Sequence, residues 1–250
     1  MNISGNTILI TGGGSGIGRG LAEALHAHDN QVIIAGRRKS VLDETTAANP
    51  GMKSATLNIE DADSIRTFAA QIEKDYPALN AVIHNAGIMR PEDLKSPNLA
   101  DAEAIITTNL LGPMRLNAAL LPLLLKQPQA TVMTVSSGLA YVPLTVTPTY
   151  CATKAAIHSW TQSLRHQLRD TNVEVLEIIP PYVQTELLGS GQASDPRAMP
   201  LTDFIAETID ILKSKPTPAE ICVKRVEFLS CAAENGKYDE AFNALNSMEF

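Results

Sequence analysis

The stretch TILITGGGSGIGRGLAEAL, residues 7–25, decides the fold. Its first four residues, Thr7 to Ile10, are apolar or β-branched throughout, the composition of a strand buried on both faces. From Gly18 to Ala27 the apolar positions Leu21 and Leu25 recur one helical turn apart. The glycines between, spaced Gly12-x3-Gly16-x-Gly18, let the backbone turn tightly from strand into helix. A helix opening on such a turn presents unpaired N–H groups and the positive end of its dipole, which suit a pyrophosphate. Gly12, Gly14, Ser15, Gly16, Ile17 and Gly18 are therefore the candidate dinucleotide cradle, although their spacing departs from the GxGxxG pattern.

The same rhythm continues outward. Branched apolar runs at Val32 to Ala35, Ala55 to Leu57, Ala81 to Ile83, Thr131 to Val135 and Val173 to Ile179 read as further buried strands. Helical periodicity fills the intervals Val41 to Ala48, Ala62 to Asp75, Ala100 to Leu125 and Thr149 to Arg169. Right-handed crossovers then stack helices on both faces of a parallel sheet, a doubly wound α/β sandwich of three layers whose ligand lies beyond the carboxyl ends of the strands. No repeat or linker interrupts the pattern, so residues 1–250 are expected to form one domain. Pro180-Pro181, Gly189-Ser190-Gly191 and Asp195-Pro196 mark an irregular stretch, residues 186–202, placed to act as a lid. Residues 203–250 read as a helical C-terminal extension, with helices over Asp203 to Lys213, Ala219 to Ala233 and Tyr238 to Leu245, and no seventh strand is expected.

Composition narrows the function. With 250 residues, 44% hydrophobic and 19% charged, the chain has enough apolar mass for a sizeable core, which excludes a disordered tail or a disulfide miniprotein. A net charge of −7 argues against a nucleic-acid partner. Cys151, Cys222 and Cys231 share no CxxC spacing, and the five histidines form no HExxH, so neither a disulfide framework nor a metal site is expected. GxSxG and GxxxxGK[ST] are both missing, which removes the usual warrant for a hydrolase or a kinase. The opening residues have no basic segment followed by an apolar one, and the run Ala118 to Leu125 is short and broken by Pro122. No membrane partner and a cytoplasmic location are expected.

The second strand ends in Ala35-Gly36-Arg37-Arg38, with no carboxylate before Asp43. An acidic residue here would hold the ribose hydroxyl of NAD, whereas a guanidinium fork suits the 2′-phosphate of NADP. Arg37 and Arg38 thus point to NADP, against the alternative of a solvated basic corner with Lys39.

Tyr150 and Lys154 stand one helical turn apart. A nearby ammonium stabilises a phenolate and brings the tyrosine pKa, normally about 10, towards working pH. Five tyrosines and ten lysines would give about 0.2 such pairs by chance, so the pair alone is weak. Ser137, at the end of the fifth strand and 13 residues before Tyr150, sharpens it.

Together these motifs carry a resemblance. With Asn85-Ala86-Gly87, Asn109, and Pro180 and Thr185 after the sixth strand, residues 5–190 resemble a classical short-chain dehydrogenase/reductase, and the C-terminal end resembles its DltE-like subgroup. The resemblance implies a Rossmann-type domain in which Tyr150 is the acid/base of hydride transfer and Ser137 polarises the substrate oxygen. Lys154 would lower the tyrosine pKa and bind the nicotinamide ribose, and Asn109 would hold a water of the proton relay. Asn58 would hydrogen-bond the adenine edge, Asn85 and Gly87 would let the chain pass close to the adenosine ribose, Val183 and Thr185 would anchor the nicotinamide amide, and Ile59, Ala86 and Pro180 would be further cofactor-binding residues. His84 and Pro181 stand where relatives carry asparagine and glycine; a buried core histidine is the simpler reading of the first.

Leu139, Tyr141, Tyr182 and Leu187 are the candidate substrate pocket, with Val142, Leu144 and Leu188 beside them. That lining is mostly apolar and holds no arginine, which favours an uncharged carbonyl compound or secondary alcohol; Arg90 and Arg197 are placed to enter from neighbouring loops. Apolar positions on the two long helices, Ile105, Leu116, Leu120 and Leu124 on one and Ile157, Trp160, Leu164 and Leu168 on the other, suggest a homo-oligomer, a dimer or tetramer. Two alternatives stay open: a non-catalytic NADP-sensing protein, and an epimerase or lyase on the same scaffold.

Overall fold

A computed structural model of the chain describes residues 1–247; positions 248–250 of the expected C-terminal extension lie outside the described residues. Alternation along the first strand, β1 (Thr7–Thr11), splits the core in two. Ile8 and Ile10 join one apolar cluster while Leu9 joins the other, and all three are wholly buried. Beside β1 run β2 (Gln31–Gly36), β3 (Lys53–Thr56), β4 (Ala81–His84), β5 (Ala130–Val135), β6 (Val173–Ile179) and β7 (Glu220–Cys222). They form one parallel sheet in the order β3-β2-β1-β4-β5-β6-β7. The order reverses between β1 and β4, and their carboxyl ends diverge there to leave a crevice.

Helices cover both faces. Leu21 and Leu25 of α1 (Gly16–His26) and Phe204 and Ile209 of α7 (Leu201–Lys213) pack on the Ile8 side. Ile65 and Phe68 of α3 (Ala62–Asp75) and Leu116 and Leu120 of α5 (Gly112–Leu124) pack on the Leu9 side. Between α1 and α3 lies α2 (Lys39–Ala48), and α6 (Pro148–Leu168) follows β5.

Two expectations are corrected. The interval Ala100 to Leu125 is not one regular helix: α4 (Ala100–Ile106) runs through a π-helical turn, Thr107–Leu111, into α5. At the end of this turn the backbone packs closely on the segment after β3: a Cβ on Gly112 would lie 2.7 Å from the Ile59 carbonyl oxygen. The second correction is at the C-terminal end, where a seventh strand does exist. Ile221, wholly buried, aligns with Ile178 of β6, and its flanking Glu220 and Cys222 are half-buried, the period-two pattern of a strand. Three residues are too few to declare that pattern against the polar sequence around them. The remainder folds as a single turn over Lys224–Val226, then α8 (Glu227–Ser230) and α9 (Tyr238–Asn246).

The long-helix residues read as surplus are mostly spent within the chain: Ile105, Leu116, Leu120, Leu124 and Ile157 are all buried. Exposed apolar groups along the first of these helical stretches include Leu99, Ile106, Leu111 and Leu125.

Candidate active site

The carboxyl ends of the strands open on a cleft of about 1000 Å³. At its head, Thr11 ties together the strands on either side of the crevice. The Thr11 hydroxyl oxygen accepts from the backbone N–H of Asn85 at 3.0 Å and of Ala86 at 3.1 Å, and Asn85 Nδ2 donates to the Thr11 carbonyl at 2.9 Å. The glycine turn fits beneath this clasp only without side chains. Gly12 has φ +68°, and a Cβ on Gly18 would lie 2.3 Å from the Gly12 carbonyl oxygen.

Ser15, at the N-terminus of α1, makes no side-chain capping bond, and the first turn carries no acidic residue. The first N–H groups of α1 are thus left without a side-chain acceptor at the cleft, where a phosphate would satisfy them. Gly12, Gly14, Ser15, Gly16, Ile17 and Gly18 all line the cleft, as do Arg37, Arg38, Ile59, Asn85, Ala86, Gly87, Pro180, Val183 and Thr185. Arg38 Nη2 stands 3.5 Å from Ser15 Oγ, beside the turn. Arg37 Nη1 is held by Glu60 Oε1 at 2.6 Å, and Thr108 donates to the same oxygen at 2.9 Å. These residues fit a dinucleotide lying along the cleft.

The other end holds Ser137, Tyr150 and Lys154. Tyr150 and Lys154 are both buried in the first turns of α6, and Lys154 Nζ sits 5.5 Å from the centre of the Tyr150 ring. Lys154 Nζ donates to the Val135 carbonyl at 2.7 Å, which fixes the ammonium at the end of β5. Ser137, two residues on, caps the short turn Gly138–Ala140: its Oγ accepts from Leu139 N–H at 3.1 Å. With one lone pair so used, the single hydroxyl proton is left to donate either to Tyr150 or to a substrate oxygen.

Burial pushes the Tyr150 phenol above its ordinary range, with the hydrogen bond to Ser137 pulling the other way. Burial also brings Lys154 down to about 8, and the Glu177 carboxylate opposes that fall. A neutral phenol beside an ammonium is an arrangement that can donate a proton.

The family model of the short chain dehydrogenases matches residues 6–195. The chain belongs to the short-chain dehydrogenase/reductase family. Within it, an oxidoreductase of Bacillus subtilis (strain 168), DltE, is 39% identical over 255 residues, with 100% of each chain covered. An NADP-dependent 3-hydroxy acid dehydrogenase of Schizosaccharomyces pombe is 31% identical over 191 residues, 74% of each chain. A short chain dehydrogenase from Burkholderia cenocepacia J2315, solved in complex with NADP, shares the fold with a TM-score of 0.81 over 100% of both chains at 22% identity. The chain is thus an oxidoreductase of this family, similar to the DltE-like subgroup, and the family uses a nicotinamide cofactor.

Not every candidate residue reaches the cleft wall. Asn109, in the π-helical turn, is buried as a brace: Nδ2 donates to the Ile88 carbonyl and Oδ1 accepts from Ile88 N–H, both at 2.9 Å. Its Nδ2 also lies 3.3 Å from Thr153 Oγ1, which clamps the segment after β4 onto α6. Asn58 is exposed, its Oδ1 taken by the N–H of Glu60. Tyr141 turns away from the substrate end, its Oη 3.4 Å from His158 Nδ1, because a hydroxyl there meets a buried polar group rather than an apolar wall. Leu139, Leu144, Tyr182, Leu187 and Leu188 do line the cleft.

The structure also supplies residues that sequence reasoning missed. Gln192 pins the lid loop, donating to the Val183 carbonyl at 2.8 Å and to Thr185 Oγ1 at 3.1 Å while accepting from Leu188 N–H. Behind Lys154, His158 Nδ1 lies 2.9 Å from both oxygens of wholly buried Glu177. With Glu220 these groups bring donor atoms within 4.8 Å of one another. Burial and the two carboxylates push the Tyr141 phenol up. Finally, Arg225, Phe228, Leu229 and Leu245 bring the C-terminal segment into the cleft wall. Their only sequence signal was a cation and an aromatic three residues apart, unreadable without the position of β7.

Proposed function

We propose that the chain is an NADP(H)-dependent oxidoreductase that moves hydride between nicotinamide and a small, mostly apolar carbonyl compound or secondary alcohol, with Tyr150 as the acid/base. The observation that carries this reading is the meeting of Ser137, Tyr150 and Lys154 in one buried corner of the cleft whose far end holds the glycine turn, Arg37 and Arg38. The cofactor named for the fission yeast relative, NADP, agrees with the two arginines.

When bound, the reduced nicotinamide supplies the hydride. Ser137 donates a hydrogen bond to the carbonyl oxygen of the substrate and steadies the charge that grows there. Tyr150 gives its phenolic proton to that oxygen, and the Lys154 ammonium stabilises the phenolate left behind. Leu139, Leu144 and Leu187 exclude water from the reacting atoms. Burial keeps Tyr150 protonated, the form that donates in reduction; alcohol oxidation needs the deprotonated form, so its rate rises with pH.

The reading extends to a homo-oligomer, a dimer or tetramer, for which exposed Leu99, Ile106 and Leu111 supply apolar area, and to a cytoplasmic location. The test of function is the absorbance of reduced nicotinamide followed against a panel of aldehydes, ketones and quinones, with NADH and Tyr150→Phe as controls. Turnover that requires NADPH and Tyr150 is the expected result. Tight NADPH binding without turnover across the panel would favour a sensor.

A further inference from the structure

We infer that Arg225 is the anchor for a carboxylate on the substrate, which makes the compound a carbonyl or hydroxy acid with an apolar body. The inference rests on the reductase reading and deepens it. The cleft of this acidic chain is lined by six cationic side chains and one carboxylate, Glu186. Arg37 and Arg38 serve the glycine turn end, and Lys154 serves Tyr150. Two more are engaged: Arg90 pairs with Asp101, and Arg197 is held bidentately by Asp195 at 3.0 and 2.7 Å. Arg225 has no carboxylate partner among the described residues.

Its placement is at the substrate end. Gly138 directly follows Ser137, and the space a side chain would take there is filled by the C-terminal segment: a Cβ would lie 2.9 Å from Val226 Cγ2 and 3.0 Å from Leu229 Cδ1. The segment carrying Arg225 is thereby locked against the backbone beside the reacting serine. Arg225 Nη2 donates to the Arg197 carbonyl at 2.6 Å, which orients the guanidinium and uses one of its five N–H donors. The others remain to grip a planar carboxylate through two parallel hydrogen bonds. Phe228, three residues on and so on the same face, lines the cleft with 49% of its surface exposed. A cation and an aromatic face side by side on one wall match an acid head on an apolar body.

The experiment is calorimetric titration of NADP-loaded protein with hexanoate and its neutral isostere hexanamide. Hexanoate is expected to bind about tenfold tighter or more, an advantage that Arg225→Leu abolishes and Arg225→Lys keeps in part. A merely bracing role for Arg225 would weaken acid and amide alike, and that result overturns the proposal. So would equal affinity of the wild type for both, or a loss in Arg225→Leu confined to NADPH affinity, which would assign the arginine to the cofactor. Turnover of levulinate against its methyl ester separates this inference from the reading beneath it. If hexanoate binds through Arg225 but neither compound is reduced, the reductase reading fails and the anion site stands; if both are reduced with equal kcat/KM, the reverse holds.

Discussion

Lys154 Nζ lies 5.5 Å from the centre of the Tyr150 ring and is tethered to the Val135 carbonyl, so the ammonium is fixed by the end of β5 rather than by the helix that carries it. The sheet therefore sets where the ammonium stands beside the Tyr150 phenol. Tyr150→Phe removes the proton while leaving this frame intact. It should lower kcat by about 10²- to 10⁴-fold with NADPH affinity changed by less than about threefold. Single-turnover reduction rates and NADPH fluorescence titration check the two halves, and near-normal turnover would take Tyr150 out of the chemistry.

Glu177 is the carboxylate that holds up the Lys154 ammonium against burial. Glu177→Gln removes that support, so the lysine loses its proton at a pH lower than about 8. The alkaline limb of kcat/KM for reduction should move to lower pH by about one unit or less. His158→Gln keeps the carboxylate and should not move the limb downward. A pH profile unchanged by Glu177→Gln would show that the charge does not reach the site.

The parts of this site legible in sequence were those whose chemistry lies in local spacing. The glycine turn follows a strand and opens a helix, and Tyr150 and Lys154 share one helix face. What stayed hidden depends on which elements meet. Tyr141 is one of the two phenols of the expected pocket lining, but its hydroxyl stands instead beside the buried His158–Glu177 pair. Arg225 and Phe228 fall within the stretch Ala219 to Ala233 that the sequence reads as helix, because three residues of β7 give too little alternation to reveal the strand that precedes them. Asn109 sits where the helix widens to a π turn, beside the close packing of Gly112 on Ile59, a contact between distant segments.

Arg37 is not idle in the absence of a phosphate: its Nη1 lies 2.6 Å from Glu60 Oε1. A 2′-phosphate must compete with that carboxylate. Arg37→Asp should weaken NADPH binding by about 10- to 100-fold and NADH binding by less than about threefold. Glu60→Gln acts in the opposite sense, but an exposed ion pair is worth at most about 1 kcal/mol, so NADPH should tighten by no more than about fivefold. Equal effects on both cofactors would remove Arg37 from phosphate recognition.

His84 closes β4 in the core, with neither ring nitrogen hydrogen-bonded among the described residues and Asn117 Oδ1 equally without a donor. Burial lowers its pKa from 6.5 to about 4, with nearby Asn117 opposing the shift. The folded state thus disfavours the protonated ring while the unfolded chain accepts the proton freely. The sign follows: the contribution is neutral above pH 6.5, and stability falls as pH drops from there towards about 4, by up to about 3 kcal/mol in all. His84→Asn removes the titrating ring and should flatten this limb of the stability curve whatever it does to stability at neutral pH. Thermal or urea unfolding from pH 7 down to 4 reads the slope directly, and a wild-type slope preserved in the variant would place the acid sensitivity elsewhere.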